Sequence, residues 1–552
     1  MVRAPEFVEK WCRRFEQVMG DRQTFDAHWS QVARRLWPEA DQFSGSQYEP
    51  GSKRRQTVYS SHGSRALRKW VSVMMSQMVP KTEQWQQLRA SNDDLNKDPA
   101  VKRFFEELTR RIFEIRNSPA ADFYGTMIPT FSSLGAFGNG CFFMDDLTGG
   151  IVRYIPVPLQ QVWIAVDQYK RVNTVFYKYP MSASAAQKKW GAVWGKNPPE
   201  RVKRMLEDSP YKPMDWLHIV APREDMDAKA LGPKSMPWMS LHILYEDKHL
   251  VEERGYEEMP YIFSREMLEA HEDYGRGPGM VVLPELGTLD AMQKTFIRSG
   301  ERVAAPPLLL HDDAFTLGSR VVNLLPDGTN FGAVSRDGKP LIQPLQTGAR
   351  LDITREMMQD QEGAIDDAFG LNLFRILLED PRANVTATEI LQRAQEKGDL
   401  IAPSINARQS QMLGPETERL LGILDRTPGG VPEWPPALLE AEGEYRIEYS
   451  SPANRLQRSG EVAAITRTME VIAPIAAVDP MVLRKFKGGS VVDRVMEIQG
   501  GPSDVLLTED EFAQLQQVVA EQQQQAQAAA QAPDVARAMK DGAGALSELS
   551  AP

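Results

Sequence analysis

Apolar residues recur at three- and four-residue steps over two long stretches in the middle of the chain, and this spacing predicts two amphipathic helices. The first is predicted over residues 285–304, and Pro306 and Pro307 then end it. The second is predicted over residues 350–370. Neither apolar stripe extends round its helix, so each helix should pack sideways on a neighbour. The side chains predicted to form this packing are Leu289, Met292, Phe296, Ile353, Met357 and Ile365.

Residues 305–349, between the two helices, carry short apolar runs separated by turn dipeptides. The runs are residues 308–310 and 321–325, and the dipeptides are Asp327-Gly328 and Asp337-Gly338. Asp-Gly pairs favour tight turns because glycine tolerates positive φ. The pattern therefore predicts a small β-rich insert between two helices, each roughly 30 Å long at 1.5 Å per residue.

The chain after the second helix changes character twice. Residues 371–385, LNLFRILLEDPRANV, lack a sustained period and contain a proline, which predicts a loop. Thr386 and Glu389 then have the spacing of a capping box, which predicts the start of another helix. Pro403 and Pro415 should kink or divide this helix.

Residues 1–284 alternate between helical and strand-like periodicity. Helices are predicted over residues 6–37, 60–78 and 101–115. Short β-type runs lie at residues 141–144, 152–155, 162–166, 172–177, 216–220, 239–245 and 261–263. The chain is thus expected to be an α+β protein that is mostly helical.

The C-terminal part begins after a linker rich in proline and glycine, TPGGVPEWPP, which follows residue 426. YRIEYSS is expected to be one more strand. Helices are predicted over residues 455–473, 479–486 and 490–498. The segment 508–552 is rich in glutamine and alanine, and we expect helix as far as about residue 530 and disorder after it.

Four stretches of this sequence, in this order, resemble the portal proteins, the head-to-tail connectors of short-tailed (podovirus-type) bacteriophages. They are RQTVYSSHGSRALRKWVSVMMSQMVPKTEQWQQL from Arg55, SLGAFGNGCFF from Ser133, YGRGPGMVVLPELGTLDAMQK from Tyr274 and NVTATEILQR from Asn384. None is a catalytic signature. The specificity lies in their order and in the helix–insert–helix layout.

The resemblance implies a portal fold whose subunits form a closed ring. By position, residues 1–284 would be the wing, 285–304 and 350–370 the two stem helices, and 305–349 the clip. The remaining regions would be a tunnel loop at 371–385, a kinked wing helix and strand at 386–454, a crown at 455–507 and a C-terminal helix and tail at 508–552.

The same resemblance implies a function and its partners. The ring, of twelve subunits in that family, would sit at one vertex of the virion between capsid and tail, and double-stranded DNA would pass through it without sequence specificity during packaging and ejection. The expected partners are further copies of the chain, the major capsid and scaffolding proteins, the terminase large subunit, and tail adaptor or tail tube proteins. Clip residues expected to dock the motor and the adaptor are His311, Asp312, Asp313, Asp327 and Asp337.

Basic residues on or near the second stem helix and the tunnel loop are the candidates for transient phosphate contacts, namely Arg350, Arg355, Arg375 and Arg382. Ion pairing between subunits is an equally good interpretation of these arginines. The tunnel loop itself contributes Leu371, Asn372, Phe374, Glu379, Asp380 and Asn384.

Composition narrows the class of protein. The chain has 552 residues, 42% hydrophobic and 25% charged, as in ordinary soluble globular proteins. Its 75 acidic and 64 basic residues give a net charge of −11, which argues against a tight grip on nucleic acid, although mild acidity is common in cytosolic proteins. Cys12 and Cys141 are too few for a disulfide framework or a zinc site. Without an apolar signal core or a span of about 18 apolar residues, the protein is expected to assemble in the host cytoplasm and not in a membrane.

Candidate catalytic and metal-binding groups each have a structural alternative that we favour. His242 and His249 could be metal ligands, but the segment between them reads as a strand that would point them to opposite faces. The acid pairs 145–146, 312–313 and 366–367 could bind a divalent ion, although adjacent acids are usually solvated. Ser61 precedes His62, yet sequence neighbours seldom have triad geometry.

The sequence also contains little that would indicate a nucleotide-binding site. GAFGNG, from Gly135, lacks the Lys-Ser/Thr ending of a phosphate loop and is interpreted as a flexible turn in the wing. No GxxxxGK[ST] motif is present, so the energy for moving DNA should come from a partner. We expect no enzymatic activity, no metal and no cofactor. The alternatives left open are another structural protein of the head–tail joint and a metal-dependent DNA-processing enzyme.

Overall fold

The computed structural model describes most of the chain. The described residues are 5–43, 51, 58–147, 151–195, 198–227, 229–230, 232–310, 323, 329, 333–335, 337–345, 351–372, 400, 402–440, 444–478, 488–499, 515, 517–519 and 522. They fall into two compact units, one made of residues 1–386 and 396–457 and the other of residues 387–395 and 458–552.

Helices dominate the first unit. They are α1 (Pro5–Asp21), α2 (Gln23–Leu36), α3 (His62–Met78), α4 (Pro99–Asn117), α5 (Phe123–Phe137), α6 (Ala183–Trp194), α7 (Glu200–Asp208), α8 (Pro278–Val281), α9 (Leu283–Ala304), α10 (Leu351–Ala368), α11 (Gly414–Arg426) and α12 (Pro436–Glu440). Helix α13 (Pro452–Val478) begins in this unit, and the rest of it lies in the second unit with α14 (Gly488–Gln499). These bounds agree with the predictions for residues 455–473 and 490–498, whereas residues 479–486 lie outside the described part.

The strands form antiparallel sheets. They are β1 (Gln86–Ala90), β2 (Asn139–Leu147), β3 (Ile151–Val157), β4 (Val162–Val166), β5 (Val172–Ser182), β6 (Pro213–Pro222), β7 (Trp238–Leu244), β8 (His249–Tyr256), β9 (Tyr261–Arg265), β10 (Leu308–Leu310), β11 (Ile342–Pro344) and β12 (Tyr445–Tyr449). The sheet orders are β4-β5-β6-β7-β8, β3-β2-β9, β1-β12 and β10-β11. All the strand runs predicted before residue 264 are confirmed, and the α+β class with them.

The five-stranded sheet is covered on both faces because its side chains alternate. On one face, Leu217 and Ile219 of β6 and Leu241 of β7 pack against Trp11 and Phe15 of α1. On the other face, Trp216 packs with α6 and α7. Burial on two sides explains why β6 is apolar along nearly its whole length.

The main core joins α2, α3 and α5 to the three-stranded sheet. Gly135 allows the close contact, because a Cβ there would lie 2.8 Å from Leu67 and from Trp70 of α3. Gly138 ends α5 in the left-handed region at φ 73°, and a Cβ there would lie 2.3 Å from the backbone nitrogen of Gly277. The prediction of a flexible turn in GAFGNG is therefore wrong: the segment is the end of a helix followed by a strand, packed on all sides.

Pro415 divides the helical segment after residue 401, as predicted. Helix at residues 402–408 continues into a π-helical turn, Gln409–Leu413, and then into α11. The amide of Gly414 donates to the carbonyl of Gln409, five residues earlier. This wider turn accommodates the proline ring, which would clash in a regular helix. Pro403 lies within the described helix at 402–408, near its start.

Arg116 and Glu416 form an ion pair with no exposed side-chain surface on either partner. Arg116 Nε donates to Glu416 Oε1 at 3.2 Å, and its Nη2 donates to Thr417 Oγ1 at 2.9 Å. The hydroxyl of Tyr154 donates to the same carboxylate at 2.5 Å. The guanidinium also lies over the Trp85 ring, 4.5 Å from its centroid. This network joins α4, β3 and α11, elements far apart in the sequence.

Replacing Glu416 with alanine should destabilise the first unit by about 3–5 kcal/mol, because it leaves the Arg116 charge buried without a counter-ion. The measurement is the free energy of unfolding in urea at a fixed protein concentration, since unfolding of an assembly depends on concentration. The control is Glu114→Ala, which removes an exposed partner of Arg110 and should change little. Equal effects of the two changes would contradict this account of the buried pair.

Candidate channel and docking surfaces

Helices α9 and α10 pack on each other as an antiparallel pair, joined through the insert that contains β10 and β11. With 22 and 18 residues they are about 33 Å and 27 Å long. We call the end nearest the main core the root of the pair and the end nearest β10 its tip. The observed bounds agree with the predicted helices within a few residues.

Burial divides the pair into two halves. At the root, Leu286 and Leu289 of α9 and Ile365 of α10 are buried in the main core. Toward the tip, Ile353 and Met357 of α10 are 41% and 49% exposed. On α9, Ile297 and Val303 are exposed as well, while Met292 and Phe296 are half-buried against the core. The pair therefore projects from the core with apolar side chains left uncovered by its own chain.

Residues 59–62 tie the root to α3, and we call them the latch. Asp290 of α9 accepts hydrogen bonds from the backbone amides of Tyr59 at 2.6 Å and Ser60 at 3.0 Å. His62 Nε2 lies 2.9 Å from Oδ1 of Asp366 on α10. Gly63 allows Leu286 to approach, since a Cβ there would lie 2.4 Å from Leu286 Cδ2. One short segment thus holds both helices.

The insert at the tip is partly described. Strand β10 confirms the predicted run at residues 308–310, and it pairs with β11. Asp337 and Gly338 form a turn in which Gly338 has φ 76° and its amide donates to the carbonyl of Ser335 at 3.0 Å. The turn prediction at this dipeptide is confirmed. Residues 321–322, 324–325 and the dipeptide at 327–328 lie outside the described part.

An open groove of about 620 Å³ runs along the pair on one side. Small side chains of α9, including Gly287, Ala291 and Thr295, line one wall, and Met357 of α10 lies in the other. Arg35 of α2 lies over α9, with its Nη2 3.5 Å from the position that a Cβ on Gly287 would take. The groove offers apolar surface, small residues and one cation.

The candidate catalytic groups are engaged in structural contacts. His62 contacts Asp366, as above, and the hydroxyl of Ser64 donates to the carbonyl of Leu36 at 2.7 Å. Asp146 lies near Arg419 and Arg426, and burial raises its pKa. Among the residues that the structure describes, no three His, Cys, Asp or Glu side chains are grouped to hold a metal ion.

The strand predicted at residues 239–245 is confirmed, but it does not extend from His242 to His249. Strand β7 ends at Leu244, and Lys248, with φ 47°, lies in the tight turn that leads into β8. His242 instead stacks on His218 of β6, with ring centroids 4.1 Å apart and an interplanar angle of 10°. His218 contacts the Tyr261 hydroxyl at 2.6 Å and the Ser240 hydroxyl at 2.9 Å. No local sequence pattern indicates this pair, because the two residues belong to different strands.

Comparison with known proteins identifies the family. Residues 9–507 match the protein-family model described as "Bacteriophage head to tail connecting protein". The chain belongs to this family. It is thus a structural component of the phage virion, at the joint between head and tail.

Two related proteins extend nearly the whole length of this connector chain. The portal protein of Salmonella phage epsilon15 is 26% identical over 551 residues, covering 98% of this chain and 95% of that protein. The probable portal protein of Bordetella phage BPP-1 is 23% identical over 523 residues, covering 94% and 92%. A chain from the virion of a native gene transfer agent particle matches 81% of this chain and 95% of its own length, with 10% identity and a TM-score of 0.34. That structural likeness is too remote to bear on fold or function.

None of the described helices has the length and apolarity to cross a membrane.

Few of the predicted channel and docking residues of the connector lie in the described part. Arg355 is exposed on α10, and Asp337 is exposed in its turn. Leu371 is buried, and the Asn372 amide donates to the Asp367 carboxylate. The residues outside the described part are Arg350, Arg375, Arg382, Phe374, Glu379, Asp380, Asn384, His311, Asp312, Asp313, Asp327, Thr386 and Glu389. The roles assigned to all of them stay predictions.

Replacing His62 with alanine should loosen the root of α10. The change removes the contact with the Asp366 carboxylate, worth about 1.5–3 kcal/mol for a hydrogen bond to a charged group. Amide hydrogen exchange at residues 362–368 should accelerate by roughly tenfold, while exchange in β6 stays unchanged. His271→Ala, at an exposed position, is the matched control. Unchanged exchange in α10 would mean that the latch does not hold it.

The histidine stack should make the connector sensitive to acid. Burial lowers the pKa of His218 to about 3 and holds the pKa of His242 well below its usual value. Below pH 6.5 the unfolded chain takes up protons at both rings before the folded chain does, so stability is lost as the pH falls. Each ring costs about 1.4 kcal/mol per pH unit in this range.

His242→Phe keeps a ring in the stack but removes one titrating group. The loss of unfolding free energy between pH 7 and pH 5 should then be about 2 kcal/mol smaller than in the unaltered protein. His271→Phe, at an exposed position, should leave the loss unchanged. The same loss in both variants would show that His242 does not remain neutral in the fold.

Proposed function

We propose that copies of this chain form a closed ring, the portal, at one vertex of the capsid, and that double-stranded DNA passes through the ring during packaging and ejection. In this proposal α9 and α10 are the stem, residues 305–349 the clip, residues 371–385 the tunnel loop and residues 455–507 the crown. The wing consists of residues 1–284 and 386–454. The names of the two phage relatives, one a portal protein and the other a probable portal protein, support this proposal.

The observation that carries the proposal is the uncovered apolar surface of the stem. Ile353 and Met357 stay about half exposed although burying the remaining surface of each would gain roughly 1 kcal/mol. They lie on a helix held at its root by the latch and packed on one partner helix. Neighbouring copies, each covering the stem of the next, would bury this surface.

The net negative charge of the chain is compatible with a channel through which DNA slides. A ring of subunits each carrying a net charge of −11 repels a polyanion on average, so DNA would be weakly held and able to slide. Arg355, exposed on α10, is a candidate for a transient phosphate contact within this field. Arg350, Arg375 and Arg382 would act in the same way from the neighbouring segments.

Partners would supply what the chain lacks. The sequence has no GxxxxGK[ST] motif, so the terminase large subunit, docked on the clip, would provide ATP-driven movement. Tail adaptor or tail tube proteins would later take that position. The capsid and scaffolding proteins would contact the wing and the crown.

The proposal predicts annular particles. Purified protein viewed by electron microscopy should show rings with a central hole wide enough for a DNA duplex. Native mass measurement should give roughly 750 kDa if twelve copies of 62.1 kDa assemble. DNA incubated with the same preparation in magnesium or manganese should remain uncut. Monomers alone, in every buffer tried, would rule out the ring.

A further inference from the structure

The stem helices carry an exposed acidic pair on α10 and an exposed basic pair on α9, and single exposed charges of the other sign lie beside them at Arg355 on α10 and Glu301 on α9. On α10, Glu356 and Asp360 are exposed and lie one helical turn apart. On α9, Arg298 and Arg302 are exposed and are also one turn apart. We call the first pair the acidic face and the second the basic face. Neither face is neutralised locally: in the described part of the chain, none of the four side chains lies in an ion pair.

The basic face continues the wall of the groove. Gly287, Ala291 and Thr295 follow one another at four-residue steps, and Arg298 and Arg302 extend the same stripe toward the tip. Arg35 adds a third cation at the root end of the groove, also without an ion-pair partner in the described residues. A helix that entered this groove would meet small side chains along its floor and cations at both ends.

The acidic face is a suitable occupant of such a groove. It lies on a helix whose flank carries the exposed apolar side chains Ile353 and Met357. Insertion would bury those side chains and place carboxylates beside guanidinium groups. A nucleic acid would satisfy the cations but would leave the acidic face and the apolar flank without a partner.

The charge pattern also determines how two copies can pair. A two-fold contact centred on either face would bring acid to acid or base to base. A head-to-tail contact places the acidic face of one copy against the basic face of the next, and repeated contacts of this kind form a ring when the rotation from copy to copy closes. We propose that Glu356 and Asp360 of each subunit pair with the groove of its neighbour at Arg298 and Arg302, and that this pairing directs ring formation. The inference rests on the proposed function, because it specifies the contact that builds the ring.

Charge reversal tests the pairing. Glu356→Lys with Asp360→Lys should reduce ring formation at least tenfold, and Arg298→Glu with Arg302→Glu should do the same, because each change sets like charges together. The variant that carries all four changes restores unlike charges and should form rings of the unaltered mass. Ring yield is measured by native mass spectrometry and electron microscopy at several salt concentrations, since screening should weaken the effect.

Mixing offers a second measurement. Neither reversed variant can pair with itself, but each can pair with the other through both of its faces. An equimolar mixture should therefore form rings in which the two variants alternate. Thermal unfolding of each variant, compared with that of the unaltered protein, shows whether the exposed substitutions leave the fold intact.

The control reverses two acids elsewhere. Glu207→Lys with Asp208→Lys, on exposed positions of α7, makes the same change in net charge and should leave ring yield unchanged. If folded double variants still form rings normally, or if the four changes fail to restore them, the pairing is wrong while the ring itself stands. Normal rings with weakened DNA binding in Arg298→Glu/Arg302→Glu would assign the arginines to the channel and overturn the pairing. If the unaltered protein forms no rings, the proposed function fails first.

Discussion

Buried guanidinium groups hold together parts of this protein that are far apart along the chain. Arg116 pairs with Glu416, and Arg408 pairs with Glu266 at 2.8 Å while lying over the Trp70 ring. Arg419 donates to the carbonyls of Met144 and Glu258, each at 3.0 Å. All three contacts fix the segment 402–426, which follows the predicted tunnel loop, onto the elements that precede the stem. Removing one partner of such a pair leaves the other charge buried without a counter-ion, which is strongly destabilising.

The root of the stem is held mainly by contacts with one helix, α3, and with the latch that leads into it. Trp70 of α3 contacts both Arg408 and, at 6.5 Å between ring centroids, Phe369 just after α10. The latch lies at the start of the same helix α3 and holds α9 and α10. Phe369 and Arg408 therefore both contact the same helix, α3, although they are 39 residues apart in the sequence.

The elements predicted correctly from the sequence are those marked by a local pattern, such as a regular apolar stripe or a proline at a helix end. Helices α9 and α10 have regular apolar stripes, and Pro306 marks the end of the first. Helix α5 escaped prediction because it has no strongly polar face, its exposed side including Ile128, and because it contains Pro129. Strand β1 escaped because its partner β12 lies about 360 residues later, and neither strand is long. The contacts of the candidate site could not be predicted for the same reason. The His62–Asp366 contact, for example, joins residues 304 positions apart, and no local sequence pattern indicates it.

The root half of the stem is fixed by contacts within the chain, whereas the tip half has few such contacts. This difference links folding of the stem to assembly of the ring. At the root, burial of Leu289 and Ile365 and the contacts of Asp290 and His62 fix the helices within one chain. Toward the tip, the packing between the two helices is the main support from within the described chain, because their outer faces meet water. The acidic pair on α10 and the basic pair on α9 give each copy two complementary patches, which would pair in a head-to-tail contact between neighbours. The tip would then reach its full stability only when a neighbour covers it, so the same side chains that are unfavourable in the monomer would drive the growth of a ring.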